Sequence, residues 1–135
     1  KLHVGGNIKA TGNLQSGTTT YPDYVFEEFV DGKSILNKDY SFKTLEEVES
    51  FIKINKHLPG VTSIGDLEKT KKGYIVNMTT LSIQTLEKVE ELYIYTIKQQ
   101  KTITSLEEKT KFLEDENAKL KARLAKIEEA LGIKE

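Results

Sequence analysis

Few residues in this chain have the types and spacing needed for covalent chemistry. His3 and His57 are its only histidines and it has no cysteine. Disulfide scaffolds, Cys-ligated zinc and thiol catalysis are therefore excluded. His57 could act as a metal ligand or general base, but no second histidine or nucleophile accompanies it in sequence. Its place beside Pro59 assigns it instead to capping a helix C-terminus. Glu27-Glu28 and Glu46-Glu47 offer carboxylates for acid–base work. Adjacent residues on a helix do not face one another, so these read as solvated surface and capping groups. Gly32-Lys33-Ser34 has the ending of a phosphate-binding loop, but that motif needs Gly five residues earlier, where Glu27 stands. Tyr21, Tyr24, Tyr93 and Tyr95 could stack on the rings of a sugar; the plainer role is as packing anchors. The reading is non-enzymatic, with no catalytic residue, cofactor or metal site.

The chemistry that is well specified is self-association. No Pro or Gly occurs between Asn77 and Leu131, which permits one helix of roughly 55 residues and roughly 80 Å. No globule of this mass can bury it, so a coiled coil is expected. With Ile103 at a, the a positions are Ile103, Thr110, Asn117, Leu124 and Leu131. The d positions are Leu106, Leu113, Leu120 and Ile127, all aliphatic. In a parallel coil, g of one chain meets e of the next heptad on its neighbour. Those pairs are Lys109–Glu114, Glu116–Lys121 and Arg123–Glu128, each of opposite sign. Leu at d and a buried Asn117 at a lean towards a dimer. Arg123-Leu124-Ala125-Lys126-Ile127-Glu128 leans the other way, because it fits the trimerisation pattern Arg–apolar–x–x–apolar–Glu. There the Arg stem covers the seam while its guanidinium pairs with a neighbour's Glu. A parallel homotrimer is the expectation, with Thr110 and Asn117 as polar layers on its axis.

Other segments must hold or accompany that seam. The first twenty residues repeat Gly6-Asn7-Ile8 and Gly12-Asn13-Leu14, with Leu2 and Val4 alternating before them. Gly-Asn turns with one aliphatic residue every six positions predict short strands that need stacked copies to form a core. Between residues 21 and 76, Tyr24-Val25-Phe26 and Tyr40-Ser41-Phe42 suit strands or extended anchors. Thr44-Leu45-Glu46-Glu47 is a capping box. Leu45, Val48, Phe51 and Ile52 then recur at helical spacing to about Lys56, where His57-Leu58-Pro59-Gly60 forms a turn. A second short helix is predicted at Ile64–Lys71, closed by Gly73. On the long helix, Leu81, Leu86, Val89, Leu92, Tyr93, Ile94 and Ile97 make a stripe wider than a seam, and the middle segment is its natural cover.

The fold class is thus α+β: β-rich shaft repeats (1–20), a small mixed module (21–76), and a parallel coiled coil (77–135). Across 135 residues, 20 Lys+Arg balance 21 Asp+Glu to a net charge of −1, which attracts neither nucleic acid nor an anionic membrane surface. No apolar run approaches the roughly 20 residues of a membrane span. Absence of cysteine names no compartment. A start at Lys1 without Met or signal peptide leads us to expect a piece of a longer chain.

Asp23-Tyr24-Val25-Phe26, Leu45-Glu46-Glu47-Val48-Glu49, Asn55-Lys56-His57-Leu58-Pro59-Gly60 and Glu90-Glu91-Leu92-Tyr93 are similar to a C-terminal module of Bacteroidetes tail-fibre-like surface proteins. The resemblance spans nearly the whole chain; His-Leu-Pro-Gly after a Glu-rich helix is its most specific part, and Leu2–Ile8 resembles the end of a fibre shaft. It implies a role like that of the intramolecular chaperone at the end of phage tail fibres, which holds three chains in register. It also implies a place on a virion tail fibre or a cell surface, and admits a host-surface receptor or glycan as partner. Tyr21-Pro22 departs from the Trp-Ala of such modules, Val61-Thr62 from their Ile-Pro, and residues 77–79 from their Gly-Glu-Met-Asn pattern. No counterpart of the Ser-Asp start of self-cleaving chaperones is present, so autoproteolysis is not expected.

Overall fold

A computed structural model of the chain describes residues 3–13, 15–17 and 19–132. Leu2 and Leu14, and residues 133–135 of the expected coil, lie outside them. The elements are α1 (Tyr24–Asp31), α2 (Leu45–Asn55), a 3-10 turn (Ile64–Asp66), β1 (Glu68–Thr70), β2 (Gly73–Ile75) and α3 (Met78–Leu131). They fall in two compact units, Lys1–Glu91 and Leu92–Glu135, and α3 contributes to both.

In the first unit, no strand or helix forms among the described residues between 3 and 20, where the repeats predict short strands. One aliphatic residue every six positions gives a lone strand nothing to pack on. Ser16 Oγ lies 2.5 Å from Thr79 Oγ1, fixing that part of the tail to the first turn of α3.

Tyr24-Val25-Phe26 is helical rather than extended. Pro22 is fully buried and its carbonyl accepts from the Val25 N–H at 2.9 Å, which turns the chain into α1. Tyr24 and Val25 are both buried. Neighbours in a strand point to opposite faces, whereas one helical turn can bury both. Gly32 then ends α1 at φ +76° with its N–H on the Glu28 carbonyl. Tyr40-Ser41-Phe42 is outside regular structure and serves as an anchor.

The capping box forms as the sequence predicts. Thr44 Oγ1 accepts the Glu47 N–H at 3.2 Å, and Glu47 Oε2 accepts the Thr44 N–H at 2.7 Å. At the other end Lys56 adopts φ +63° as the C-cap. His57 does not cap α2: its Nδ1 is bonded to the Leu58 carbonyl at 2.9 Å and its ring meets Phe51 edge-on at 5.3 Å. The backbone of Lys56 already closes the helix, so no side chain is needed there. The Leu58–Val61 turn places Pro59 before Gly60 at φ +73°, and the Val61 N–H bonds the Leu58 carbonyl at 3.2 Å.

The helix predicted at Ile64–Lys71 is only the 3-10 turn Ile64–Asp66, and an antiparallel hairpin follows it. Glu68 pairs with Ile75, Lys69 with Tyr74 and Thr70 with Gly73. Thr70 decides the turn: its hydroxyl donates to the Gly73 carbonyl at 2.9 Å and accepts the Lys72 N–H at 3.2 Å. Asn77 caps α3, its Oδ1 accepting the Thr80 N–H at 3.1 Å.

Apolar burial is sparse. Among the described residues, the buried hydrophobic side chains are Tyr24, Val25, Ile94 and Tyr95, with the prolines Pro22 and Pro59. Many apolar side chains along α3 are exposed, among them Leu92, Ile97, Ile103, Leu106 and Leu113. Among the described residues, no helix is long and apolar enough to cross a membrane.

Candidate oligomerisation seam

The residues assigned to self-association all lie on α3 in the second unit. Ile103, Leu106, Leu113, Leu120, Leu124, Ile127 and Leu131 are between 48% and 67% exposed in the single chain, and Thr110 and Asn117 are exposed as well. Seven-residue recurrence puts them on one stripe of the helix. Leu106 and Thr110, with Ile103, line a shallow apolar depression on that stripe. Burying the exposed half of an Ile or Leu side chain is worth about 0.8–1.5 kcal/mol. The seven together hold roughly 6–10 kcal/mol per chain that only a partner surface can release.

The flanking charges are unspent too. Among the described residues, the intrachain ion pairs of this helix segment are Lys119–Asp115 at 2.6 Å and Lys119–Glu116 at 3.0 Å. These hydrogen bonds, that to Asp115 first, raise the Lys119 ammonium pKa. Of the six g and e residues in the predicted interchain pairs, Glu116 alone is ion-paired within the chain among the described residues. Lys109, Glu114, Lys121, Arg123 and Glu128 form no ion pair there among the described residues. Arg123 and Glu128 are exposed, as the trimerisation pattern requires.

What positions the start of α3 is a polar lock in the first unit, which the sequence does not reveal. Tyr24 donates its hydroxyl to Glu87 Oε2, and Tyr40 donates to Glu91 Oε1 at 3.1 Å. Lys88 Nζ lies between the carboxylates, 2.6 Å from Glu87 and 2.8 Å from Glu91, with all three side chains only 13–14% exposed. The Tyr24 and Tyr40 rings meet at 4.9 Å. Burial, then the bond to Glu87, raises the Tyr24 phenol above its ordinary value; burial, then Glu91, does the same to Tyr40. On the same helix, Gln84 Oε1 accepts the Thr62 N–H at 3.2 Å and Gln84 Nε2 donates to the Thr62 hydroxyl at 2.9 Å.

Glu27 and Glu28 are not solvated surface groups. Glu27 accepts from the Ser34 hydroxyl and from the N–H groups of Ile35 (2.9 Å) and Leu36 (3.1 Å), and the Ser34 bond foremost lowers its carboxyl pKa. Glu28 Oε1 accepts the Phe42 N–H at 3.0 Å. Together they fold the segment that presents Tyr40. Glu90 is also missed by the sequence: it is 6% exposed and its Oε2 has no hydrogen-bond partner among the described residues. Burial, then Asp23 and Glu87, raises its pKa. Periodicity cannot find these groups, since their partners are distant in sequence or depend on the misread α1.

Tyr24 is 5% and Tyr95 9% exposed, leaving Tyr21 and Tyr93 on the surface. Comparison with known proteins brings no match: no family model fits the chain, and no curated protein and no solved structure is significantly similar to it.

Proposed function

We propose that this chain is a trimerisation and folding module at the C-terminal end of a fibrous protein, on a phage tail or a cell surface. It holds three chains in register while the preceding shaft assembles. The observation that carries the reading is the exposed a/d stripe from Ile103 to Leu131, flanked by g and e charges of which, among the described residues, only Glu116 is ion-paired within the chain. Its mechanism is entropic. A parallel coil raises the local concentration of shaft segments too weakly apolar to associate alone, and it sets their register. The described residues before Tyr21 form no strand in the single chain, which fits a shaft whose strands pair with those of its copies. In the trimer, Thr110 and Asn117 stack as polar layers whose side chains bond one another, and Arg123 pairs with Glu128 of a neighbour. The module acts without catalysis or a cofactor.

The competing reading is a receptor- or glycan-binding tip. In that reading the middle segment makes the contact, and of the four tyrosines named above Tyr21 and Tyr93 are exposed. Deleting residues 103–135 tests the proposal. The remainder is expected to sediment as a monomer or to aggregate; a stable trimer without those residues would refute the assignment.

A further inference from the structure

The seam does not stop where the clean heptads begin. Carried upstream in the same phase, the a positions are Thr96, Val89 and Ser82, and the d positions are Gln99, Leu92, Thr85 and Met78. All seven are exposed. Within the first unit, the residues of this stretch that are buried or half-buried fall on the remaining positions: Thr79 and Leu86 at e, Ile83 and Glu90 at b, Gln84 and Glu91 at c, Glu87 at f and Lys88 at g. In the first unit, Tyr24, Tyr40 and Thr62 bond to Glu87, Glu91 and Gln84, which are f and c positions. The small module thus takes the outer face of α3 between Met78 and Glu91 and leaves the a/d face of those turns exposed.

Three further observations suit that face to burial. The six charged residues between Met78 and Lys101 all avoid a and d. The polar hydroxyls on it are already satisfied within the helix: Ser82 donates to the Met78 carbonyl at 2.7 Å, Thr85 to Leu81 at 2.7 Å and Thr96 to Leu92 at 2.8 Å. Covering them leaves no orphan donor, which would otherwise cost about 1–3 kcal/mol each. The occupant follows from charge complementarity downstream. Lys109–Glu114, Glu116–Lys121 and Arg123–Glu128 match only between parallel, in-register copies, and that register brings residue 89 of one chain beside residue 89 of the next. A straight helix would drift about 20° per heptad from the phase, and the left-handed supercoil of such a coil removes that drift.

We infer that further copies of this chain bind along the whole a/d face of α3 from Met78 to Leu131, so that the folded module is itself part of the assembly. This rests on the parallel-coil reading above. The chain has no cysteine, so single substitutions report directly on which positions face each other. Thr85→Cys and Val89→Cys probe the extension, Leu113→Cys the downstream seam, and Thr80→Cys and Lys101→Cys exposed f positions. Each full-length variant is oxidised under the same mild conditions and resolved on a denaturing gel. The expected result is disulfide-linked chains for residues 85, 89 and 113, formed at least about tenfold faster than for 80 and 101. Linkage at 113 without linkage at 85 and 89 would overturn the extension and leave the downstream coil standing. Linkage at none of the five, or at all five alike, would overturn both.

Discussion

Replacing Leu113 and Leu120 together by Ala separates a shared seam from a solvated helix by the sign of the effect. In the single chain these side chains are 52% and 56% exposed. Were that their final state, truncation would fall within the usual ±0.5 kcal/mol of a surface change. Ala is the better helix former, so the net effect would be neutral or slightly stabilising. In the coil the exposed halves are buried, and each Leu contributes about 0.8–1.5 kcal/mol by transfer alone, with a cavity penalty added on truncation. The double substitution then costs at least about 2 kcal/mol per chain, or roughly 6 kcal/mol per trimer. For a monomer–trimer equilibrium that loss raises the half-assembly concentration by roughly a hundredfold. Helical ellipticity followed through thermal unfolding at several concentrations reads both quantities. The account expects a lower Tm in the variant and a Tm that rises with concentration in both proteins. An unchanged or raised Tm, independent of concentration, would refute the shared seam.

Other perturbations probe the parts that surround it. Arg123→Ala with Glu128→Ala is expected to weaken the trimer by about 0.6–3 kcal/mol, at 0.2–1 kcal/mol for each of three interchain pairs; sedimentation equilibrium at low and high salt should show the wild-type advantage shrinking with salt, and equal association constants would reject the pairing. Gly60→Ala should destabilise the first unit by about 1–2 kcal/mol, because the position sits at φ +73° and an added Cβ would lie 2.9 Å from Glu87 Oε1; denaturant unfolding in a background carrying the 103–135 deletion checks this, and a neutral result would mean that the polar lock is looser than drawn. Glu90→Gln addresses pH. The raised pKa penalises the charged form in the fold, so the penalty is present above the folded pKa and disappears as pH falls below the unfolded value. The variant should therefore gain stability over wild type near neutral pH and lose that advantage in acid, by urea unfolding at both; an equal difference at the two pH values would contradict the titration of Glu90.

What could be foreseen in this chain was what depends on neighbours along the sequence. The capping box at Thr44 and Glu47, the Pro59-Gly60 turn and the uninterrupted run of α3 are set by residues within one or two turns of one another. The errors arose where distant contacts overrode local preference. Tyr24-Val25-Phe26 has strand-like residues, yet Pro22 starts a helix there, and the Tyr24–Glu87 bond joins positions 63 residues apart. Residues 64–71 have helical spacing, but the hydroxyl of Thr70 stabilises a hairpin turn in their last third. Glu27 and Glu28 look like surface carboxylates because their backbone partners, Ile35, Leu36 and Phe42, reach them only once α1 exists. The residues of the proposed seam follow a seven-residue repeat, which is a local pattern, and α3 carries them exposed along one stripe.

The solution mass of the intact chain bears most directly on the central claim. Multi-angle light scattering across a range of concentrations is expected to give three times the 15.3 kDa chain mass, holding to low micromolar concentration. A mass of one chain throughout that range would contradict the shared core, and a mass of two would contradict the trimer.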